Sequence, residues 1–268
     1  MPIAIAARRD YVEGIVPLSF WLACKWARAG LPLAETLSSK TPIYRLTSLY
    51  DGLHHPAKPE AGWRDERWEA LLAEWELLYS RHPEDPGSAA IEQAGLERLR
   101  PLLEARLEQD VLEWLKVEDR PYGFFSYNAS PQEAAEHAIS LHLFNVFAPD
   151  SPFAAPQARA AELARLLKDA ESRHPGLLKV TCGSWLNSFQ PFLDLFPPEW
   201  PASATPRPLV HSQGWWGQFI DRKGAYQRKN GDHLRRTGAF PYQSLGCTCA
   251  LMALKRHLQD RFGIEGGT

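Results

Sequence analysis

The chain is poor in cysteine and methionine, has no long apolar run and carries almost no net charge, and each shortage removes a class of protein. Four cysteines (Cys24, Cys182, Cys247, Cys249) in 268 residues are too few for a disulfide framework. Cys247-Thr248-Cys249 lacks the second close-spaced pair of a structural zinc site, so no metal is expected, and the thiols are read as reduced in a cytoplasmic setting. The early apolar run Ile15 to Cys24 is too short to span a membrane. It follows Asp10 and Glu13 and runs into Lys25 without a small-residue cleavage site, which is the wrong flanking for a signal peptide. A formal charge of -2 excludes both the basic excess of a nucleic-acid coat and an acidic tail, so neither a nucleic acid nor a membrane is an expected partner. There is no internal repeat and no low-complexity linker.

What is present is an ordinary globular mixture, 44% apolar and 23% charged, long enough to bury a core without disulfides or metals. Ten Trp and 22 Pro against two Met predict a core and pocket walls made of rigid aromatic surface. A helix is expected to open near Pro17 and bury Phe20, Trp21 and Trp26. From Trp63 to His82 the residues Trp68, Leu71, Leu72, Trp75, Leu78 and Tyr79 recur at the spacing of one helical face. A loop over Pro83 to Gly87 leads into a second helical pattern through Leu96, Leu99, Leu103 and Leu107, in which Pro101 implies a kink or two abutting helices. Residues 1–125 therefore read as a mostly helical region, with an irregular segment around Tyr44-Arg45 and His54-His55-Pro56.

Residues 126–268 read as an α/β domain. Ser130-Pro131-Gln132-Glu133 is a capping box with proline at the first helical position. By Ile139 the period has become two, with Ile139, Leu141 and Leu143 on one face and Ser140, His142 and Phe144 on the other, which predicts a strand. The stripe Ala160, Leu163, Leu166, Leu167, Ala170 predicts a helix closed by Pro175-Gly176, and Leu177 to Cys182 predicts a second strand. Strand, helix, strand at this spacing is a βαβ unit with parallel strands. The fold class is thus α/β, or α+β, with a helical N-terminal half and a C-terminal mixed sheet.

Parallel strands end on one sheet edge, where ligands of open α/β folds bind. The first strand delivers His142 and Asn145, the second Ser184, Trp185 and Asn187, and an apolar helical segment from Phe189 to Phe196 that Asn187 or Ser188 caps would aim free N–H groups at an oxyanion. Ser184 lacks the Gly-x-Ser-x-Gly elbow, since position 186 is Leu. Gly214 to Ile220 alternates like a strand leading into the turn Asp221-Arg222-Lys223-Gly224. On this reading Trp216 and Gln218 line a substrate wall, because an amide between aromatics needs a partner or a ligand, and His211 and Tyr226 join them. Arg222, Arg228 and Lys229 belong to the densest basic stretch, and Arg228-Lys229-Asn230-Gly231 precedes a helix start at Asp232, a place for a phosphate-bearing cofactor. Glu133 and His137 share a helical face but have no third ligand at a recognised spacing.

A helical N-terminal region, a strand carrying Leu141-His142, a helix, a second strand running into Gly183-Ser184-Trp185-Leu186 and the stop Leu195-Phe196-Pro197 resemble the bacterial GNAT-like acyltransferases, which join a helical N-terminal domain to a GNAT-like C-terminal domain. The resemblance implies transfer of an acyl group from a pantetheine thioester, acyl-CoA or an acyl carrier protein, to an amine or hydroxyl. In that reading His142 is the general base, with Ser184, Asn145 and Asn187 orienting substrate or binding an oxyanion. The residues leave two alternatives open: a metal-dependent enzyme using His142 and His211, and a small-molecule-binding protein without chemistry.

Overall fold

The computed structural model describes residues 5–58, 63–82, 89–115 and 121–264, with the side chains of 111–115 left aside; the loop expected over Pro83 to Gly87 lies outside them. The chain opens with α1 (Ile5–Arg28), α2 (Leu33–Ser39), α3 (Ile43–Leu46), α4 (Glu66–Arg81) and α5 (Ala89–Leu115). It continues as β1 (Phe125–Asn128), α6 (Pro131–Ala135), β2 (Ala138–Leu143), α7 (Pro156–Arg173) and β3 (Lys179–Ser184). Then come α8 (Gln190–Leu193), α9 (Glu199–Ala202), β4 (Thr205–Pro206), α10 (Gln213–Trp216), α11 (Arg228–Thr237), β5 (Leu245–Ala250) and α12 (Leu251–Phe262). The result is a mixed α/β chain with a helical N-terminal half and one five-stranded sheet. Among the described residues no helix is long and apolar enough to cross a membrane.

Two compact units divide the chain, and the division differs from a cut at residue 125. Residues 209–241 group with the N-terminal helices, and 117–208 with 242–268 form the sheet unit. The reason is burial: Trp215, Trp216, Phe219 and Leu234 share one apolar cluster with Tyr11, Ile15, Phe20, Trp68 and Trp75. Polar ties reinforce it, since the Trp216 indole N–H donates to the Lys40 carbonyl at 2.9 Å and Arg235 pairs with Glu92 at 2.7 Å. Two expectations change here. The first helix starts at Ile5, not near Pro17, because the stripe Tyr11, Ile15, Leu18, Leu22 is buried on both sides of the proline. The second helical pattern is a single helix with Pro101 inside it.

Within the helical unit Tyr226 is wedged between two glycines. A Cβ on Gly14 of α1 would lie 2.3 Å from the Tyr226 ring, and one on Gly231 of α11 would lie 1.9 Å from its hydroxyl. In an open helix Gly→Ala stabilises by about 0.5 to 1 kcal/mol. Here Gly14→Ala and Gly231→Ala are each expected to destabilise by about 1 to 3 kcal/mol, because the ring has to move. Urea unfolding checks it. In a Tyr226→Ala background the same Gly231→Ala change is expected to lose its penalty, the signature of a direct contact.

The sheet runs β1-β2-β3-β5-β4. β2 and β3 are parallel, joined by α7 as the periodicities predict; β1 and β5 flank them antiparallel. One face carries Phe125, Ile139, Leu141, Val180, Cys182, Cys247 and Cys249, buried in a common cluster with Leu163, Leu166 and Leu167 of α7 and Leu254 and Leu258 of α12. The capping box at Ser130 is present with both of its bonds.

Candidate functional site

The opposite face of the sheet is polar and small. Asn128, Ser140, Thr181 and Thr248 are cross-strand neighbours in one row through four strands. Two residues further along the same face, Ser126 pairs with His142, and Gly183 pairs with Gly246, which in turn pairs with Thr205. Strand alternation fixes this arrangement, since residues two apart share a face. An imidazole and a pair of glycines therefore stand at the level where β2 and β3 part. The ladder between those strands covers only Ala138–Ser140 and Lys179–Thr181, although both run three residues further, each paired only on its outer side.

The glycine pair is a seat for Arg207. A Cβ at Gly183 would fall 2.4 Å from Arg207 Nη1 and 2.5 Å from its Cζ, whereas one at Gly246 would meet Thr205 Oγ1 at 3.2 Å and only touch Arg207 Cδ at 3.9 Å. Glycine inside a strand marks such a close approach. The Arg207 backbone N–H donates to the Ser244 carbonyl at 3.1 Å, which anchors the residue beside β5. Among the described residues no carboxylate pairs with this guanidinium, so a cation lies on the polar face ready for an anionic group.

His142 is exposed on β2 and its Nε2 lies 2.8 Å from Asn128 Oδ1. The amide oxygen can only accept, so Nε2 carries the proton and Nδ1 is left as a base. At the ends of the two strands stands an aromatic group in which Trp185 packs on Tyr242 at 5.3 Å and Phe153 on Phe189 at 5.4 Å. Asn145 is exposed in the loop after β2, its Oδ1 accepting from the Phe147 N–H at 3.1 Å.

Several residues expected to face substrate are used internally. Asn187 is 2% exposed and bonds the Cys182 carbonyl, the Leu245 carbonyl and the Trp200 indole, so it neither caps a helix nor keeps a free donor. Ser184 is buried and accepts from the Leu186 N–H at 3.2 Å, closing the 3-10 turn that follows β3. The helix after it, α8, is four residues long and follows Phe189 at its N-cap without a side-chain cap, so it offers no oxyanion site. The stretch Gly214 to Phe219 is helical rather than a strand, α10 followed by a 3-10 turn, and only Ile220 is extended, in an antiparallel bridge to Tyr226 across the turn. Trp216 and Gln218 are buried there, the Gln218 amide donating to the Trp215 carbonyl at 2.8 Å. The turn Asp221 to Gly224 forms as expected, the Gly224 N–H donating to the Asp221 carbonyl.

The basic stretch also reads differently. α11 begins at Arg228, so Arg228 and Lys229 lie in a helical turn rather than a loop before Asp232. Arg228 is paired with Asp10, while Arg222 and Lys229 are exposed. His211 belongs, with Trp216, Gln218, Tyr226, Arg222, Arg228 and Lys229, to the helical unit; His142, Asn145, Ser184, Trp185 and Asn187 belong to the sheet unit.

Burial pushes the Cys182 and Cys249 thiols up to about 12 and that of Cys247 up to about 11, so none is a thiolate nucleophile near neutrality. Among the described residues no three His, Cys, Asp or Glu side chains lie together as a metal site. Protein-family models, curated proteins and solved structures give no match to the chain. The residues that sequence reasoning missed are Asn128, Arg207 and the glycine pair. Gly183 and Gly246 inside strand patterns were the available signal for a close approach.

Proposed function

We propose that the sheet unit is a small-molecule acyltransferase that moves an acyl group from a pantetheine thioester to an amine or hydroxyl. The observation that carries this reading is the polar row at the parting of two parallel strands, with the His142 base and the Arg207 cation on the same sheet face. Facing strand edges that have left their ladder suit an extended chain bearing amides, which pantetheine is. His142 Nδ1 takes the proton of the attacking amine or hydroxyl as its N or O bonds to the thioester carbon. The C–S bond then breaks and the sulfur leaves as a thiol, taking the proton back from the His142 imidazolium. Arg207 holds an anionic group of the acceptor.

The loop between β2 and α7, residues 144–155, has no glycine and contains Asp150, and α7 opens with Pro156 behind an uncapped Ala155. Arg159 of its first turns is buried against Glu162 at 2.7 Å and stacked on Phe147. These residues fit the diphosphate of coenzyme A poorly and favour a donor that presents pantetheine on a carrier protein.

The test is thiol release from acyl-pantetheine, acyl-CoA and acyl-carrier-protein thioesters with a panel of amines, some carrying a carboxylate. Arg207→Ala is expected to raise KM for the anionic acceptors by about 10- to 100-fold, the worth of a charge-assisted hydrogen bond, with little change in kcat. Gly183→Val, which fills the seat, is expected to act the same way. No release above buffer with any thioester overturns the reading.

A further inference from the structure

The helical unit holds a second polar cluster that acyl transfer leaves unused. His55 and His211 stack with ring centroids 3.6 Å apart and 13° between planes. The segments are locked together, since the His211 N–H donates to the Ser39 carbonyl at 3.1 Å and Trp216 to the Lys40 carbonyl. On the two rings and the segments tied to them, five buried side-chain atoms have no hydrogen-bond partner among the described residues: Ser39 Oγ, Arg45 Nε, His55 Nε2, His211 Nδ1 and Ser212 Oγ. Each such atom costs about 1 to 3 kcal/mol unless something binds it.

The chemistry of the missing partner follows from the donors. His55 is 6% exposed, and its Nδ1 accepts from the Ala57 N–H at 3.1 Å, so Nε2 carries the hydrogen and is an unmet donor. Arg45 is held in place by its Nη2 bond to the Tyr50 hydroxyl at 2.9 Å, which leaves Nε–H as a second unmet donor. The two hydroxyls donate as well. Burial depresses protonation of both imidazoles, of His55 to about 3 and of His211 to about 4; the neighbouring ring of His211 adds to this at His55, and the charges of Arg45 and Lys58 add to it at both. A neutral imidazole pair in a positive surrounding repels a metal cation and welcomes an anion. Unmet donors beside a guanidinium suit an oxyanion, and the three oxygens of a phosphoryl group offer them more acceptor positions than the two of a carboxylate.

We propose that Ser39, Arg45, His55, His211 and Ser212 form a binding site for a phosphoryl group, separate in its residues from the acyl-transfer row. The experiment is calorimetric titration of the full chain with inorganic phosphate, phenyl phosphate and acetate, alongside 15N spectra of the imidazoles. Saturable phosphate binding that moves the His55 and His211 signals is expected, weakened at least about tenfold by Arg45→Gln and a few-fold by Ser212→Ala. Tighter binding of phenyl phosphate assigns the site to an organic phosphate, and tighter binding of inorganic phosphate to the free ion. Ser212→Ala removes only one oxygen, so it keeps the test usable should Arg45→Gln unfold. No saturable phosphate binding, binding unmoved by Ser212→Ala and by a folded Arg45→Gln protein, or acetate binding as tightly as phosphate overturns the proposal.

Discussion

Turnover of an acyl thioester by a His142→Ala protein is expected to fall by about two to four powers of ten, the usual contribution of a positioned general base. Its urea unfolding midpoint is expected to stay where it was. His142 is exposed and makes one side-chain hydrogen bond, to Asn128, so its removal opens no cavity and strands no buried group. That separation of activity from stability distinguishes a base from a structural histidine. A second variant sharpens it. Asn128→Asp places a carboxylate where the amide oxygen now accepts from Nε2, which favours the imidazolium. The acid limb of the pH–rate profile is then expected to move to higher pH, because the base form of His142 appears only after the stabilised proton has left. A profile that does not move, or a His142→Ala protein with full turnover, removes His142 from the chemistry.

The parallel pair of strands in the sheet unit and the helix between them were legible in the sequence because their periods are clean. Ile139 and Leu141 alternate with Ser140 and His142, the α7 stripe repeats at helical spacing, and the Ser130 box announces its own helix; β2, α7, β3 and α6 follow. The stretch from Gly214 to Ile220 misled for the opposite reason. Large apolar side chains occupy both parities there, so a period of two cannot be told from a helical one. The buried set, Trp215, Trp216, Gln218 and Phe219, is spaced i, i+1, i+3, i+4, which is a helical face. Nor does any local pattern announce that 209–241 returns to the N-terminal helices: the bond from Trp216 to Lys40 spans 176 positions.

The candidate site shows the same limit. His142 was found because an imidazole on a strand attracts attention by type. Arg207 was not, because it lies in a Pro-flanked stretch with no periodicity and gains meaning only from the glycine pair beneath it. Gly183 lies just past the strand expected over Leu177 to Cys182, yet its register partner is another glycine some sixty positions away, and register between distant strands is not written in either one.

Asn187→Leu is expected to cost about 3 to 5 kcal/mol of stability, since leucine fills the volume but leaves two carbonyls and an indole N–H buried without partners, each worth about 1 to 3 kcal/mol. The amide donates to the Cys182 carbonyl at 2.9 Å and the Leu245 carbonyl at 2.8 Å, and accepts from Trp200 Nε1 at 2.9 Å, so one side chain ties β3, β5 and α9. Asn187→Asp tests the directionality of these bonds. One carboxylate oxygen still accepts from Trp200, but the other faces two carbonyl oxygens, and burial disfavours the charge, so the folded-state pKa of the new carboxyl lies above its unfolded value. A group raised in this way is tolerated below its unfolded pKa and destabilises as pH rises toward and past its folded one. The Asn187→Asp protein is therefore expected to unfold at lower urea at pH 8 than at pH 4.5, relative to the parent at each pH. Equal losses at both pH values would mean that water reaches Asn187 and that the end of β3, where Gly183 carries Arg207, is not held by a dry lock.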